Sequence, residues 1–136
     1  MSGKTLRMTS DKKKVLVVED NRVMSDVIHF NLERAGFDVR VCGNGRQAVE
    51  LLDCERFDVI ITDFQMPKMN GEELCRHVRQ DVRHADLPIL MISAKGFELD
   101  VARLTEELSL AKVLSKPFSP REVVESVRAV LEPVVV

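Results

Sequence analysis

Three short runs of apolar, largely β-branched residues constrain the fold more than any other feature of this chain. Lys14-Val15-Leu16-Val17-Val18 ends at Glu19-Asp20, Val59-Ile60-Ile61-Thr62 ends at Asp63, and Leu87-Pro88-Ile89-Leu90-Met91-Ile92 ends at Ser93. Unbroken apolar runs of this length belong to strands buried on both faces, the situation of a parallel sheet covered by helices. Asp38-Val39-Arg40-Val41-Cys42 alternates polar with apolar residues, which suits an edge strand. Ala111-Lys112-Val113-Leu114-Ser115 is a weaker fifth strand for the other edge.

Helical periodicity fills the intervals. Val23, Val27, Ile28, Leu32 and Ala35 recur at the helical spacing, with Gly36 placed as a C-terminal stop. Ala48, Val49, Leu51 and Leu52 predict a second helix. Asn70 and Glu73 form a capping-box pattern ahead of Leu74, Cys75 and Val78. Val101, Leu104, Thr105 and Leu108 give a fourth stripe. Ser119, Pro120 and Glu122 mark the start of a fifth helix, which carries Val123, Val127, Val130 and Leu131 and ends before Pro133. The alternation is (βα) five times over. Right-handed crossovers then dictate an α/β doubly wound parallel five-stranded sheet, with the flavodoxin-like order 2-1-3-4-5. Residues 13–132 form one domain, with an N-terminal tail over 1–12 and a C-terminal tail over 133–136.

Composition removes several classes of function. A formal charge of −2 argues against a nucleic-acid binder, and the basic run Lys12-Lys13-Lys14 reads as a solvated tail before the first strand. Cys42, Cys54 and Cys75 share no CxxC spacing and read as small buried hydrophobes in a reducing compartment. His29, His77 and His84 make no metal-site pattern, His77 and His84 being expected exposed and His29 partly buried. No segment reaches the ~20 apolar residues that span a bilayer, and no secretory signal is present. A cytoplasmic protein without membrane or nucleic-acid partners is expected.

The chemistry collects where the strands end. Glu19, Asp20, Asp63, Ser93 and Lys116 each stand at or just beyond the carboxyl end of a predicted strand, where open α/β sheets bind ligands. In the order 2-1-3-4-5 the first and third strands are neighbours, so Glu19, Asp20 and Asp63 converge. Clustered carboxylates repel one another, and a hard cation such as Mg²⁺, which takes oxygen ligands, relieves this. Lys116 adds an ammonium and Ser93 a hydroxyl, completing a cradle for a phosphoryl group with Asp63 as its nucleophile. Singly, each residue has an ordinary role: a capping acid, a turn hydroxyl, a surface lysine. Their joint placement carries the reading.

The segments Val17-Val18-Glu19-Asp20-Asn21, Thr62-Asp63-Phe64-Gln65-Met66-Pro67-Lys68-Met69-Asn70-Gly71, Met91-Ile92-Ser93-Ala94-Lys95 and Ser115-Lys116-Pro117-Phe118 resemble the receiver domain of two-component response regulators. The likeness covers roughly residues 13 to 132. It implies that Asp63 takes a phosphoryl group from a sensor histidine kinase or a histidine phosphotransfer protein. It implies Mg²⁺ ligation by Asp20, Asp63 and the carbonyl of Gln65, with Glu19 acting mostly through water. Ser93 and Lys116 would contact the phosphoryl oxygens, and Lys116-Pro117 would be a cis bond. Two positions depart from the family pattern. Val113 stands where the family often carries an aromatic residue, and Leu108-Ser109-Leu110-Ala111 replaces a small Gly-Ala pair.

The expected function is therefore a single-domain response regulator of the chemotaxis or phosphorelay type. With no output domain after the last helix, it acts on a downstream effector protein, as a monomer or weak dimer. Self-phosphorylation is Mg²⁺-dependent, and slow autodephosphorylation is its only turnover. The alternative is a receiver-fold interaction module that is never phosphorylated, which the intact acid cluster opposes. An aspartate-nucleophile phosphatase needs a second acid two residues after Asp63, where Gln65 stands.

Overall fold

The computed structural model describes residues 12–66 and 68–131. Residues 1–11 of the 1–12 tail, Pro67, and residues 132–136, which include the terminating Pro133 and the 133–136 tail, lie outside the described residues. Five strands, β1 (Lys14–Val18), β2 (Asp38–Cys42), β3 (Val59–Asp63), β4 (Ile89–Ser93) and β5 (Lys112–Ser115), alternate with five helices. The helices are α1 (Arg22–Arg34), α2 (Gly45–Cys54), α3 (Gly71–Gln80), α4 (Glu98–Leu108) and α5 (Pro120–Leu131), with a 3-10 turn at Val82–His84. All strand pairings are parallel and the sheet order is β2-β1-β3-β4-β5.

Two cores, one on each face, explain why the central strands are apolar throughout. Leu16, Val18, Ile60, Ile89 and Met91 pack with Leu52, Leu74, Val78 and Leu104 beneath α2, α3 and α4. Val15, Val17, Ile61, Leu90 and Ile92 pack with Ile28, Leu32, Val123 and Val127 beneath α1 and α5. Each such side chain contributes roughly 1.5–3 kcal/mol when fully buried.

The end signals fold as read. Asn70 accepts from Glu73 N at 2.8 Å while the Glu73 side chain accepts from Asn70 N at 3.0 Å. Ser119 and Glu122 exchange the same pair of bonds at 3.1 and 2.8 Å. Gly36 takes φ +100° just past α1, a conformation that excludes most side chains.

Four expectations need correction. Val23 and Val27 are 73% and 40% exposed, and the buried stripe of α1 is Ser25, Ile28 and Leu32. Ser25 is tolerated inside because its hydroxyl donates to the Arg22 carbonyl at 3.1 Å. Val41 is exposed while Cys42 is buried, so the alternation of β2 breaks at its last residue. Cys42 points to the face opposite Val39 and Val41 and joins the core beneath α2. Cys54 is exposed at the end of α2, unlike Cys42 and Cys75. The His84 side chain is 13% exposed, because it turns back toward Asp81 at the 3-10 turn.

Candidate functional site

Sheet register sets the site. Val18 pairs with Thr62 and Asp63 with Ile92, so the chain leaves β1, β3 and β4 at one level. Glu19, Asp63 and Ser93 are buried there, while Asp20 and Gln65 are exposed. Carboxylate oxygens of Glu19, Asp20 and Asp63 all lie within 4.8 Å of one another. Lys116 reaches in from the end of β5, its Nζ donating to Asp63 Oδ2 at 3.1 Å. Its position follows from the Lys116 N–H bond to the Ser93 carbonyl at 2.9 Å, and the Lys116-Pro117 peptide is cis, as the resemblance implied.

Ser93 and Gln65 join the group differently. The Ser93 hydroxyl donates to the adjacent Ala94 carbonyl at 3.1 Å rather than to Asp63. Gln65 lies on the loop after β3, two residues beyond Asp63.

The electrostatics are unbalanced. Glu19 Oε2 accepts from Asn21 N at 3.0 Å, but Glu19 Oε1 is buried with no hydrogen-bond partner. Burial pushes the Glu19 carboxyl up to about 7; the neighbouring Asp63 and Asp20 add to the rise, and Asn21 N–H and Lys116 oppose it. One ammonium faces three carboxylates. A buried carboxylate oxygen without a partner costs free energy, and an all-oxygen donor set of this size fits a hard divalent cation.

Two supporting residues escaped the sequence reading. Asn21 is one: its side chain caps α1 by accepting from Met24 N at 2.9 Å while its backbone holds Glu19. An Asn just before a helix is the ordinary signal for such a cap. Gly71, the first residue of α3, is the other. A β-carbon there would collide with the Asp63 carbonyl and stand 2.9 Å from Phe64 Cα. A bare backbone at this point lets α3 begin against the strand that carries Asp63. Phe64 itself is held by its N–H bond to the Ile92 carbonyl at 2.8 Å and packs its ring 5.1 Å from that of Phe97.

A sheet of this order with acids at the ends of β1 and β3 and a lysine after β5 defines a class of phospho-acceptor folds. The chain belongs to the response regulator receiver domain family, whose sequence model matches residues 15–128. It is 40% identical over 119 residues to the alkaline phosphatase synthesis transcriptional regulatory protein PhoP of Bacillus subtilis; the match takes in 88% of this chain and 48% of that protein. The chain thus spans about half the length of this relative. The chemotaxis response regulator CheY4 of Vibrio cholerae superposes with a TM-score of 0.81 at 31% identity, over 88% of this chain and 99% of that one. The receiver domain of Francisella response regulator 1452 gives 0.79 at 28% identity, over 89% and 98%. Among the described residues no helix is long and apolar enough to cross a membrane.

Proposed function

We propose that this domain accepts a phosphoryl group on Asp63 from a sensor histidine kinase or histidine phosphotransfer protein in the cytoplasm and signals through contacts with a downstream effector protein. The observation that carries the reading is the buried, under-compensated carboxylate cluster at the ends of β1 and β3, with Lys116 bonded to Asp63.

Asp63 Oδ2 is engaged by Lys116, which leaves Oδ1 to attack phosphorus. An O–P bond forms as the P–N bond to the donor imidazole breaks, and its electron pair returns to the ring nitrogen. Lys116 then meets the negative charge of the phosphoryl oxygens, and Ser93 reaches the same oxygens by turning its hydroxyl away from Ala94. Asp20, Asp63 and the Gln65 carbonyl would hold Mg²⁺, with Glu19 acting through water. The ion supplies charge neutralisation for the incoming phosphoryl group.

The donor must cover the rim of this site. Beside it lies a groove of about 410 Å³ lined by Asn21, Val23, Val27, Pro117 and Phe118, and its exposed valines suit a protein partner. The bound form is read as a rearrangement of α4, β5 and α5 that uses packing other than an aromatic flip, because Val113 takes that place.

Intact-mass measurement after incubation with acetyl phosphate tests the proposal. One added phosphoryl group is expected on the wild type with Mg²⁺, and none on Asp63→Asn. An equal gain on Asp63→Asn, or none on the wild type, would favour the unphosphorylated interaction module.

A further inference from the structure

Arg79, on the last turn of α3, has no role in the acid site, yet it makes more long-range hydrogen bonds than a surface arginine needs. Its Nε donates to the Leu108 carbonyl at 2.7 Å and its Nη2 to the Ser109 carbonyl at 3.3 Å. Its Nη1 donates to the Leu87 carbonyl at 2.7 Å and to that of His84 at 3.3 Å. All four acceptors are backbone oxygens. Two close the C-terminal end of α4, and two belong to the segment leading into β4. The last carbonyls of a helix have no partner within it, and a planar guanidinium can bridge several at fixed geometry. Burial alone lowers the Arg79 pKa, and the four accepting carbonyls are what make a cation tolerable there.

Two further features hold the same end of α4, and one ion pair ties its middle to α3. Ser109 follows Leu108 at φ 55° and ψ 54°, a left-handed cap that ends the helix sharply. Arg76, on the exposed side of α3, bonds Glu107 at 2.6 Å. Arg103, mid-helix, reaches Glu72 at 3.4 Å.

The N-terminal end of α4 is built in the opposite way. No side-chain hydrogen bond caps it at Phe97. It follows Gly96 at φ +101°, a position with nothing within 4 Å of where a β-carbon would stand. Leu99 in the first turn is 88% exposed. Beneath this half lies a cavity of about 290 Å³, lined by Ser93, Val101, Ala102, Thr105 and Val113. Val113 forms part of its wall, and it touches Ser93 at the rim of the acid site.

We infer that Arg79 is a positioning residue that pins the C-terminal end of α4, so that the helix moves as a lever about Leu108–Ser109 with its N-terminal half closing over the cavity beside Val113. A change at Ser93 is then amplified at Glu98, Leu99 and Ala102, while Glu106 and Glu107 stay in place. A partner that distinguishes the two states reads the first half of α4.

Residue-resolved amide hydrogen exchange tests this in the ligand-free protein, where the lever rests on α3–α4 contacts alone. In the wild type, Glu107 and Leu108 amides should exchange at least roughly tenfold more slowly than those of Ala102 and Arg103. The reverse order, or a flat profile, overturns the inference. Arg79→Lys keeps the charge and stem but cannot bridge four carbonyls. It should speed exchange at Glu107 and Leu108 about tenfold and leave Ala102 and Arg103 unchanged, whereas a uniform rise along α4 or no change at all overturns it. A second arm adds Mg²⁺ and beryllofluoride, and rests on the phospho-acceptor reading. Protection changes concentrated at 97–104 support the lever, and changes concentrated at 106–109 overturn it. No change anywhere, including 63–66 and 93–96, counts against phospho-acceptance, and the ligand-free arm then decides the lever by itself.

Discussion

Carboxylates gather at both ends of this sheet, and the two gatherings could hardly differ more. At the amino ends, Asp81 is gripped by Arg83, which also bonds Asp53 at 2.8 Å. Nearby, Glu55 accepts from Lys14 Nζ at 2.7 Å and pairs with Arg40, and Asp58 accepts from Lys14 N at 2.7 Å. Hydrogen bonds from Arg83 hold the Asp81 carboxyl well below the usual range, and Lys14 lowers that of Glu55. At the carboxyl ends, burial drives Glu19 up to about 7 and one of its oxygens has no partner. Acid count therefore does not mark the functional end. What marks it is acid without matching donors, in a place where strands bring the groups together and keep them there.

Lys116→Ala should separate the two ends most sharply. It removes the ammonium bonded to Asp63, and the rate of acetyl phosphate labelling should fall on the order of a hundredfold. Gly71→Ala comes next. Its new methyl must displace the Asp63 carbonyl, so labelling should fall about tenfold while Mg²⁺ affinity also drops. Retention of the wild-type rate in either variant breaks the contrast.

Smaller and opposite effects are expected with pH. Glu19 titrates near 7 in the cation-free fold against about 4.5 when unfolded. Its protonated form stabilises the fold fully below about 4.5, and that contribution is gone above about 7. Thermal melts in chelator should therefore lose stability as pH rises from about 5 to about 8, by no more than about 3 kcal/mol. Glu19→Gln should flatten this dependence. Glu55 and Asp81, whose carboxyls are lowered, behave in the reverse sense: their contribution is full above the ordinary carboxylate range and is lost as pH falls below it, through the lowered values. The least effect belongs to Arg83→Ala, which opens exposed pairs only. Its melting temperature should shift least of the set, with labelling unchanged.

Much of this was legible in the chain. The central strands announce themselves because burial on both faces permits no polar interruption, and the capping boxes at Asn70 and Ser119 are local signals that fold locally. The acids at the ends of β1 and β3 could be placed together because sheet order makes those strands neighbours. Other features were not legible. On α1, periodicity placed Ile28 and Leu32 correctly, but it could not tell that Ser25 joins them while Val23 and Val27 face outward, since that depends on which side meets the sheet. Cys54 and His84 were misplaced for a similar reason, their exposure being decided at helix ends. Arg79 gave no signal whatever. Its partners are backbone carbonyls from distant segments, which carry no residue type to recognise.

Calorimetric titration of the wild-type protein with Mg²⁺ tests the central claim most directly. Binding at one site is predicted, weakened at least about tenfold by Asp20→Asn and untouched by Arg83→Ala. Heats that are the same with and without the Asp20 carboxylate would contradict it.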